Sequence, residues 1–574
     1  MRTVFQYLKP YRLRMFFGFC IKVTGTLSEL ALPYILSHIL KNVVFFSGIG
    51  EIVFWGILMI LFAALAWILN ITANRRAAKV ASQFSREVRQ DLFSKTLRLS
   101  AAQTDRFTIA SLESRITTDT YHIHSFVNMV QRLGVRAPIL LIGGLTVTMF
   151  MDAYLASVMA VILPVIFCIV YLIARKGVPL YSKVQKAVDR MIRVVREDVQ
   201  GIRVIKALSK DTYEHRRYDQ VNGALVKDEE KAGIIMGLSN PVMTLLMNMG
   251  ITVVVALSAS RVANHQTDPE TVIAFMQYFT QISMAMMVLT RLFVMFSKCT
   301  SSAKRVEEVL LCEDELAERD PAEFPTGDPS DLIAFDHVTF SYNGKKPDLE
   351  DISFRLRRGQ HLGIIGATGS GKSTLIKLLL RFYDVDSGQI FLEGQDLRTV
   401  NREQLYARFG TVLQNDFLYA DTIAENIRFG RAVTDAEMEA AAEIAQARDF
   451  IAAFPDGYEH RLSQKATNIS GGQKQRLLIA RAIAKQPEIL IMDDSSSALD
   501  YKTEATLRKA LQEHCRGTTV ITVAQRVSAV RTCDLILVLD EGRIIGSGTH
   551  EQLLQQCGEY REISESQMGG AIVD

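Results

Sequence analysis

The sequence lacks the basic excess of a nucleic-acid-binding protein, because 65 Lys and Arg residues are nearly balanced by 62 Asp and Glu residues. A net charge of +3 on 574 residues therefore argues against a nucleic-acid partner. The seven cysteines form no CxxC pair and have no metal-ligand spacing, which indicates free thiols in a reducing environment. No cleavable signal peptide is expected, because the first apolar run is too long and no small-residue cleavage site follows it.

Long apolar runs are nearly absent after residue 300 and frequent before it. A helix needs about 20 predominantly apolar residues to cross a bilayer. Stretches such as 154–174 have no polar face to expose to water, which disfavours a large soluble core. The sequence therefore predicts a six-span transmembrane domain over residues 1–305, embedded in a lipid bilayer. The predicted spans lie at approximately 15–40, 52–74, 134–151, 153–174, 241–262 and 271–297.

Basic residues are concentrated in two long segments, 75–132 and 175–231, whereas the short links on the opposite side carry few. By the positive-inside rule, the basic segments and both termini are predicted to be cytosolic, with Arg261 as an exception on the far side. Helical spacing continues through these segments, so we expect long helices that turn near 119–126 and 208–218. The compact layout and the absence of a transit peptide favour a multi-pass protein of a bacterial cytoplasmic membrane.

Several polar residues fall inside the predicted spans, where exposure to lipid would be costly. We expect them to face a cavity or a neighbouring helix, and ordinary interhelical hydrogen bonds fit the sequence as well as substrate contact does. These residues are Lys22, Glu29, Asn248, Gln277, Gln281 and Arg291.

The composition changes after Lys304. Acidic residues and proline crowd 313–331, so 306–331 is predicted to be a linker, and short β-rich runs then alternate with helical segments from 332 to 574, as in an α/β domain. Within it, the run from Gly366 to Thr374 (GATGSGKST) follows an apolar strand and precedes a helical segment, which is the context of a phosphate-binding loop. Its backbone N–H groups would surround phosphates, Lys372 would neutralise them and Ser373 would hold Mg²⁺.

Two further motifs fit the same chemistry. The apolar strand 489–492 ends at Asp493, and ligands bind at the carboxyl ends of such buried strands, so Asp493 is placed to bind Mg²⁺ through its water shell. The run from Ser470 to Gln473 precedes an amphipathic helix. Ser470 can cap that helix, and the helix N-terminus can bind a second anion.

These motifs, in this order, resemble those of ATP-binding cassette (ABC) transporters, specifically exporter-type half-transporters in which six helices precede one cassette. The resemblance covers essentially the whole chain and implies an α-helical six-span transmembrane domain plus an α/β P-loop ATP-binding cassette. It also implies ATP and Mg²⁺ as cofactors and two cassettes packed head to tail, each ATP lying between the phosphate loop of one chain and the signature motif of the other. The turns near 119–126 and 208–218 would be coupling helices.

The resemblance also implies roles for individual residues. Tyr342 matches the aromatic residue that stacks on adenine, and Gln414 matches the glutamine that contacts Mg²⁺ and senses the membrane domain. Ser497 and Asp500 match the loop that couples the two sites. The implied ligands of this chain's ATP in the phosphate loop are Gly366, Thr368, Gly369, Ser370, Gly371, Lys372, Ser373 and Thr374. The implied signature residues for the partner's ATP are Ser470, Gly471, Gly472 and Gln473, and the implied Mg²⁺ ligands are Ser373, Gln414 and Asp493.

Two catalytic positions depart from the family pattern. Asp494 replaces the glutamate that orients the attacking water, and Gln525 replaces the histidine beside the γ-phosphate. Aspartate holds its carboxylate about 1 Å further back, which can cost on the order of a hundredfold in rate, and glutamine cannot carry positive charge or move a proton. The segment 462–466 also departs from the Val-Gly-Glu-Arg-Gly usually found before the signature. We therefore expect a site that binds ATP and hydrolyses it poorly.

A poor catalytic site beside a good signature favours the degenerate half of a heterodimeric exporter, whose partner half-transporter supplies the glutamate and the histidine. The sequence leaves open a homodimeric exporter, a lipid or peptide translocator, an importer, and an ATP-gated regulatory membrane protein that does not pump. The lack of an additional N-terminal domain disfavours the importer. Met-rich spans suit varied apolar ligands, so amphiphilic small molecules, as in multidrug efflux, are the expected substrates, although contact with lipid or other helices explains the Met residues more simply.

Overall fold

A computed structural model of the chain describes residues 1–44, 48–264, 266–414, 416–495 and 498–568. The chain divides into two compact units. The first comprises Met1–Leu97 and Thr108–Cys312, and the second comprises Arg98–Phe107 and Glu313–Asp574.

Six helices in the described part of the chain are long and apolar enough to cross a membrane. Each contains one of the predicted spans, so the six-span prediction is confirmed. They run over Thr3–Val43, Ile49–Arg98, Ile109–Met151, Ala153–Gln200, Pro241–Ala263 and Pro269–Leu310. The individual helical elements are α1 (Arg2–Leu8), α2 (Arg12–His38), α3 (Ile49–Arg98), α4 (Ala101–Phe107, in the second unit), α5 (Ile109–Ser114), α6 (Thr120–Met129), α7 (Val135–Met151), α8 (Ala153–Gln200), α9 (Ile202–Ala207), α10 (Asp211–Gly237), α11 (Ser239–Ala263) and α12 (Pro269–Leu310).

The first cytosolic turn was expected near 119–126, and this prediction is wrong. That segment lies inside the continuous helix Ile109–Met151, where Asp119 is only 1% exposed and accepts a hydrogen bond from Arg305 Nε at 2.8 Å. The chain turns instead around α4. Ser100 and Gln103 form a capping box there, with Gln103 N–H donating to Ser100 Oγ at 3.0 Å and Ser100 N–H donating to Gln103 Oε1 at 3.0 Å.

The second turn lies a few residues earlier than the predicted 208–218. Gly201 ends α8, the short helix α9 follows, and Ser209 takes a left-handed conformation with φ of 51°. Helix α10 then begins at Asp211, so most of the predicted turn is helical. Asp211 and Glu214 in the first turn of α10 favour a helix start at this point, because carboxylates stabilise a helix N-terminus.

Close interhelical contacts define the core of the membrane unit. The fully buried Tyr278 of α12 donates its hydroxyl to the Leu30 carbonyl of α2 at 2.5 Å. On α11, a Cβ at Gly250 would lie 2.3 Å from Phe279 Cζ, so the glycine allows an approach that no other residue would. Small residues at such contacts are typical of packed membrane helices.

The far-side cations, on the side opposite the two basic segments, are paired with carboxylates. Arg261 lies 3.5 Å from Asp152, the N-cap residue of α8, and its guanidinium lies 4.8 Å above the Tyr154 ring. Lys41, a second cation that the positive-inside rule disfavours there, forms an ion pair with Asp268. Local neutralisation therefore accounts for both exceptions to the charge pattern.

The described residues of the second unit form two β-sheets, as expected for an α/β cassette. A six-stranded sheet has the order β10-β9-β3-β8-β7-β6, in which only the edge strand β10 is antiparallel, and a four-stranded antiparallel sheet has the order β2-β1-β4-β5. The strands are β1 (Ile333–Phe340), β2 (Leu349–Leu356), β3 (His361–Gly366), β4 (Ser387–Leu392), β5 (Gln395–Asp396), β6 (Phe409–Val412), β7 (Ile489–Asp493), β8 (Thr519–Val523), β9 (Leu535–Asp540) and β10 (Arg543–Gly548). The helices are α13 (Lys372–Leu379), α14 (Arg402–Arg408), α15 (Ile423–Arg428), α16 (Asp435–Ile444), α17 (Arg448–Ala452), α18 (Gly471–Ile483), α19 (Tyr501–His514), α20 (Val527–Val530), α21 (His550–Gln556) and α22 (Gly558–Met568).

The predicted linker 306–331 is divided between the two units. Its first residues continue α12 to Leu310, and the boundary between the units falls after Cys312. Beyond this boundary the chain packs on the cassette, where Arg402 Nε donates to the Leu316 carbonyl at 3.1 Å. The turn helix α4 belongs to this unit too, since Gln103 Nε2 donates to the Glu313 carbonyl at 2.7 Å.

Candidate nucleotide-binding site

The phosphate-binding loop connects β3 to α13, as the sequence predicts. Gly369 and Gly371 have φ of 86° and 99°, which only glycine adopts without strain. A Cβ at Gly371 would also lie 2.6 Å from the Leu349 side chain. Lys372 folds back over the loop, and its Nζ donates to the carbonyls of Gly366 at 2.9 Å and Ala367 at 2.7 Å. The loop therefore holds the ammonium group at the N-terminus of α13, where a helix attracts anions.

The carboxyl ends of adjacent parallel strands bring the acidic residues to this loop. Asp493 pairs with Val523 on β8, and β8 pairs with β3. Asp493 is 5% exposed and accepts a hydrogen bond from Ser373. The next residue, Asp494, has a left-handed φ of 50°, and its N–H donates to the Val523 carbonyl at 2.9 Å. Both carboxylates are thus fixed on one edge of the sheet, beside the phosphate loop.

Burial shapes the electrostatics of this edge. It raises the pKa of the Asp493 carboxyl and of the Asp494 carboxyl, since an ion is poorly solvated there. Burial also lowers the pKa of the Lys372 ammonium, and the two aspartates oppose that shift. Water solvates the charged forms of these groups poorly. A bound divalent cation would stabilise the charged aspartates, and a bound phosphate would stabilise the charged lysine.

One open pocket gathers most of the predicted nucleotide-binding residues with both degenerate positions. Asp348 lies in its wall as well and was not predicted, because a lone aspartate before a strand matches no motif. Gly366 and Ser370 belong to the loop behind this wall. The pocket is lined by Asp348, Thr368, Gly369, Gly371, Lys372, Ser373, Thr374, Gln414, Asp493, Asp494, Val523, Ala524 and Gln525.

Tyr342 lies next to the loop at the start of α13. Its hydroxyl is 3.3 Å from Thr374 Oγ1, and Lys377 Nζ lies 5.3 Å from the centre of its ring. The Tyr342 N–H donates to Asp348 Oδ2 at 2.9 Å, which holds the backbone beside the pocket. An exposed aromatic ring in this position offers a flat surface to a base.

The signature segment begins α18 and is absent from the lining of that pocket. Ser470 caps the helix in a capping box, with Gln473 N–H donating to Ser470 Oγ at 3.3 Å and Ser470 N–H donating to Gln473 Oε1 at 2.9 Å. Gly471 and Gly472 form the first turn of the helix. Before the signature, Lys465 and Ala466 take left-handed φ angles of 61° and 52°. Ala466 stands where the family sequence has glycine, so this chain keeps the turn without the residue that suits it.

Of the two predicted coupling-loop residues, the structure describes Asp500. Asp500 caps α19 and accepts hydrogen bonds from the Thr503 N–H at 2.9 Å and the Thr503 hydroxyl at 2.7 Å. These bonds lower the pKa of the Asp500 carboxyl. Ser497 lies outside the described residues.

Comparisons with known proteins agree with this geometry. The model of the ABC transporter transmembrane region matches residues 15–286, and the ABC transporter model matches residues 349–497. An uncharacterized ABC transporter ATP-binding protein of Mycobacterium tuberculosis (strain CDC 1551 / Oshkosh) is 34% identical over 573 residues, covering 99% of this chain and 98% of its own length. The chain belongs to the ABC transporter family. Its cassette domain implies ATP binding and transport driven by an ATPase, and its six apolar helices make it a multi-pass membrane protein.

Two further ABC transporters are similar to this chain over most of its length. A fatty acid ABC transporter ATP-binding/permease protein of Mycobacterium tuberculosis (strain CDC 1551 / Oshkosh) is 31% identical over 507 residues, which are 88% of this chain and 78% of that protein. The solved structure of a bacterial Atm1-family ABC exporter with ATP bound superposes with a TM-score of 0.82 at 24% identity, covering 98% of this chain and 99% of that one. This structural likeness supports the exporter fold.

In this ABC transporter chain, Gln567 of the last helix, α22, contacts the backbone on both sides of Arg526. Its Nε2 donates to the Gln525 carbonyl at 2.8 Å, and its Oε1 accepts from the Val527 N–H at 2.8 Å. One amide side chain thus fixes the loop that carries the degenerate Gln525. Sequence reasoning missed Gln567, because it lies 42 residues from Gln525 and within no motif.

Proposed function

We propose that this chain is the degenerate-site half of a heterodimeric exporter, which uses ATP to move amphiphilic small molecules out across the cytoplasmic membrane. The observation that carries the proposal is the position of Asp494 and Gln525 in the wall of the nucleotide pocket. The site thus combines an intact phosphate loop and an intact magnesium-binding edge with two altered catalytic positions. Asp494 is a shorter carboxylate than the usual glutamate, and Gln525 is an uncharged amide in place of histidine. Such a site would hold ATP and hydrolyse it slowly.

The residues of the pocket fit ATP with Mg²⁺. The hydroxyl of Ser373, the amide oxygen of Gln414 and the carboxylate of Asp493 supply the oxygen ligands that Mg²⁺ prefers. When bound, Mg²⁺ would neutralise the phosphate charge. Lys372 would exchange the carbonyls of its own loop for phosphate oxygens, and Tyr342 would stack on the adenine. The backbone of residues 366–374 would supply the N–H donors.

The signature motif would serve the partner's nucleotide. Ser470 and Gln473 already form the capping box that orients the start of α18. Gly471 and Gly472 have no side chains, so a phosphate could approach the backbone N–H groups at this helix end. A second half-transporter with a standard glutamate and histidine would complete its own site with these residues. Turnover would then occur mainly at that second site.

The placement of the basic residues supports a cytosolic cassette, from which ATP would drive export. The basic segments that contain α4 and α9 would lie in the cytosol with the cassette and both termini, and the paired cations Lys41 and Arg261 would lie outside. α4 and α9 are the turns that we assign as coupling helices. An amphiphilic substrate fits the partly polar interior of the spans and the relative named as a fatty acid transporter.

A pair of matched substitutions tests the proposal in the assembled heterodimer, formed with the product of a neighbouring cassette gene. Asp494→Ala should reduce ATP-driven transport only slightly, because its site contributes little turnover. Replacement of the partner's glutamate by alanine should abolish transport. Equal losses from the two substitutions would refute the degenerate-site assignment and would favour two equivalent sites.

A further inference from the structure

A cluster of basic side chains lies between the membrane helices near the start of α7. Lys22 of α2 is only 3% exposed, and its Nζ donates to Asn70 Oδ1 at 2.8 Å and Asn74 Oδ1 at 3.1 Å, both on α3. Arg132 and Arg136 act electrostatically on the same ammonium group. We call Lys22, Arg132 and Arg136 the basic cluster.

The basic cluster has more positive charge than its surroundings neutralise. Glu29 is the one acidic residue that acts on Lys22 within the described part of the chain, and its carboxylate already forms an ion pair with Arg136. Among the described residues, the hydrogen-bond acceptors of Lys22 are two neutral amide oxygens, which use two of its three N–H donors. Unbalanced charge in a membrane domain is costly unless it faces a cavity or binds an ion.

Unsatisfied hydrogen-bond donors also indicate that the basic cluster binds an anion. The Nε atoms of Arg132 and Arg136 are both buried without a hydrogen-bond partner among the residues that the structure describes. A buried donor that lacks an acceptor costs free energy, more so on a charged group. An anionic oxygen in the basic cluster would be an acceptor for these donors and would balance the excess charge.

An apolar pocket lies on the same helices as the basic cluster. Lys22 follows Gly18 by four residues on α2, so both lie on one face of that helix, and Gly18 lines the pocket. Arg132 and Arg136 each follow a lining residue, Gln131 and Val135, by one position, so they lie on the same helical turns as the lining but about 100° around the helix. The lining consists of Arg14, Met15, Phe16, Gly18, Phe19, Ala73, Arg76, Ala77, Val130, Gln131 and Val135. Aromatic and aliphatic side chains thus predominate beside cationic ones, a combination that suits a ligand with an apolar chain and an acidic head.

We infer that the basic cluster binds the carboxylate or phosphate head of an anionic amphiphile, whose apolar chain occupies the apolar pocket on the same helices. This inference rests on the proposed export function and specifies its substrate class. The ion pair between Glu29 and Arg136 is an example within the cluster of the carboxylate–cation pairing that the ligand would make. Neutral and cationic amphiphiles would leave the excess charge unbalanced and would bind more weakly.

Binding to the full-length chain in nanodiscs of zwitterionic lipid, without ATP, tests the inference. The probes are dodecanoate, dodecanol, dodecyltrimethylammonium and acetate, at a pH where dodecanoate is ionised. We expect dodecanoate to bind at least about tenfold more tightly than dodecanol and the cation, since a charge-assisted hydrogen bond is worth about that factor. Acetate should bind at least about tenfold more weakly than dodecanoate, because it lacks the chain; equal binding of acetate would mean a simple anion site and would overturn the inference.

Lys22→Gln and Arg132→Gln should each weaken dodecanoate binding about ten- to a hundredfold and leave dodecanol binding within about twofold. The matched control is Lys41→Gln, which removes the same charge about 28 Å away along the same helix and should change neither. Two different helices carry the test substitutions, so misfolding of one variant leaves the other. Equal binding of dodecanoate and dodecanol, or equal effects of Lys22→Gln and Lys41→Gln, would refute the inference. These results do not depend on ATP turnover, so they would stand or fall separately from the heterodimer.

Discussion

Lengthening the degenerate carboxylate should accelerate hydrolysis at this chain's own site. The Asp494 backbone cannot advance toward the pocket, because its N–H is bonded to the Val523 carbonyl at 2.9 Å and the preceding Asp493 is paired in the sheet. The reach of the side chain therefore decides where the carboxylate lies. Asp494→Glu moves it forward by about 1 Å, a displacement that can change a rate on the order of a hundredfold.

The assay is the ATPase rate at saturating Mg-ATP in a heterodimer whose partner glutamate is replaced by glutamine, so that only this chain's site turns over. Asp494→Glu should raise the rate by about one to two orders of magnitude, and adding Gln525→His should raise it further, because a cation returns beside the γ-phosphate. Asp494→Asn is the matched control of equal length without charge, and it should lower the rate. A rate unchanged by Asp494→Glu would refute the argument that carboxylate reach limits this site.

Three further predictions concern other parts of the cassette. Gln567→Glu keeps the side-chain oxygen that accepts from the Val527 N–H but loses the N–H donor to the Gln525 carbonyl. The ATP hydrolysis rate should therefore fall severalfold in turnover measurements, while a parallel nucleotide titration should show unchanged ATP affinity. A change confined to affinity would contradict this positioning role. Lys372→Ala should weaken ATP binding by at least about a hundredfold in a nucleotide titration yet leave the melting temperature of the nucleotide-free chain nearly unchanged, because the hydrogen bonds of Lys372 to described residues stay within its own loop. Mg²⁺ would bind the ionised form of Asp493, and burial raises the pKa of that carboxyl, so the Mg²⁺-dependent gain in ATP affinity should decline as the pH falls, starting above the ordinary aspartate range; Asp493→Asn should reduce that pH dependence.

Much of the nucleotide site could be predicted from the sequence, because its chemistry depends on short motifs and on backbone geometry. The loop from Gly366 to Thr374 needs glycines at fixed positions, and Asp493 must follow a strand buried on both faces. Such local requirements leave a visible pattern in the sequence. The spans were predicted for a similar reason, since lipid requires long apolar helices.

The features that the sequence did not reveal depend on contacts between distant segments. Gln567 acts on Gln525 across 42 residues, and the basic cluster forms only where α2, α3 and the start of α7 meet. The first turn was misplaced because helical periodicity runs through the whole of 75–132 and does not mark where one helix ends and the next begins, whereas Ser100 and Gln103 form a capping box at the observed turn. At this turn the helix cap marks the boundary and the periodicity does not.

The ATPase activity of the purified chain, measured alone and after co-purification with the product of a neighbouring cassette gene, tests the central claim most directly. The degenerate-half account predicts almost no turnover by the chain alone and a large rise in the complex, because the partner supplies the glutamate and histidine and uses this chain's Ser470 to Gln473. Substantial turnover by the chain alone would contradict it. Asp494 and Gln525 would then suffice for catalysis, and a homodimeric pump would be the better account.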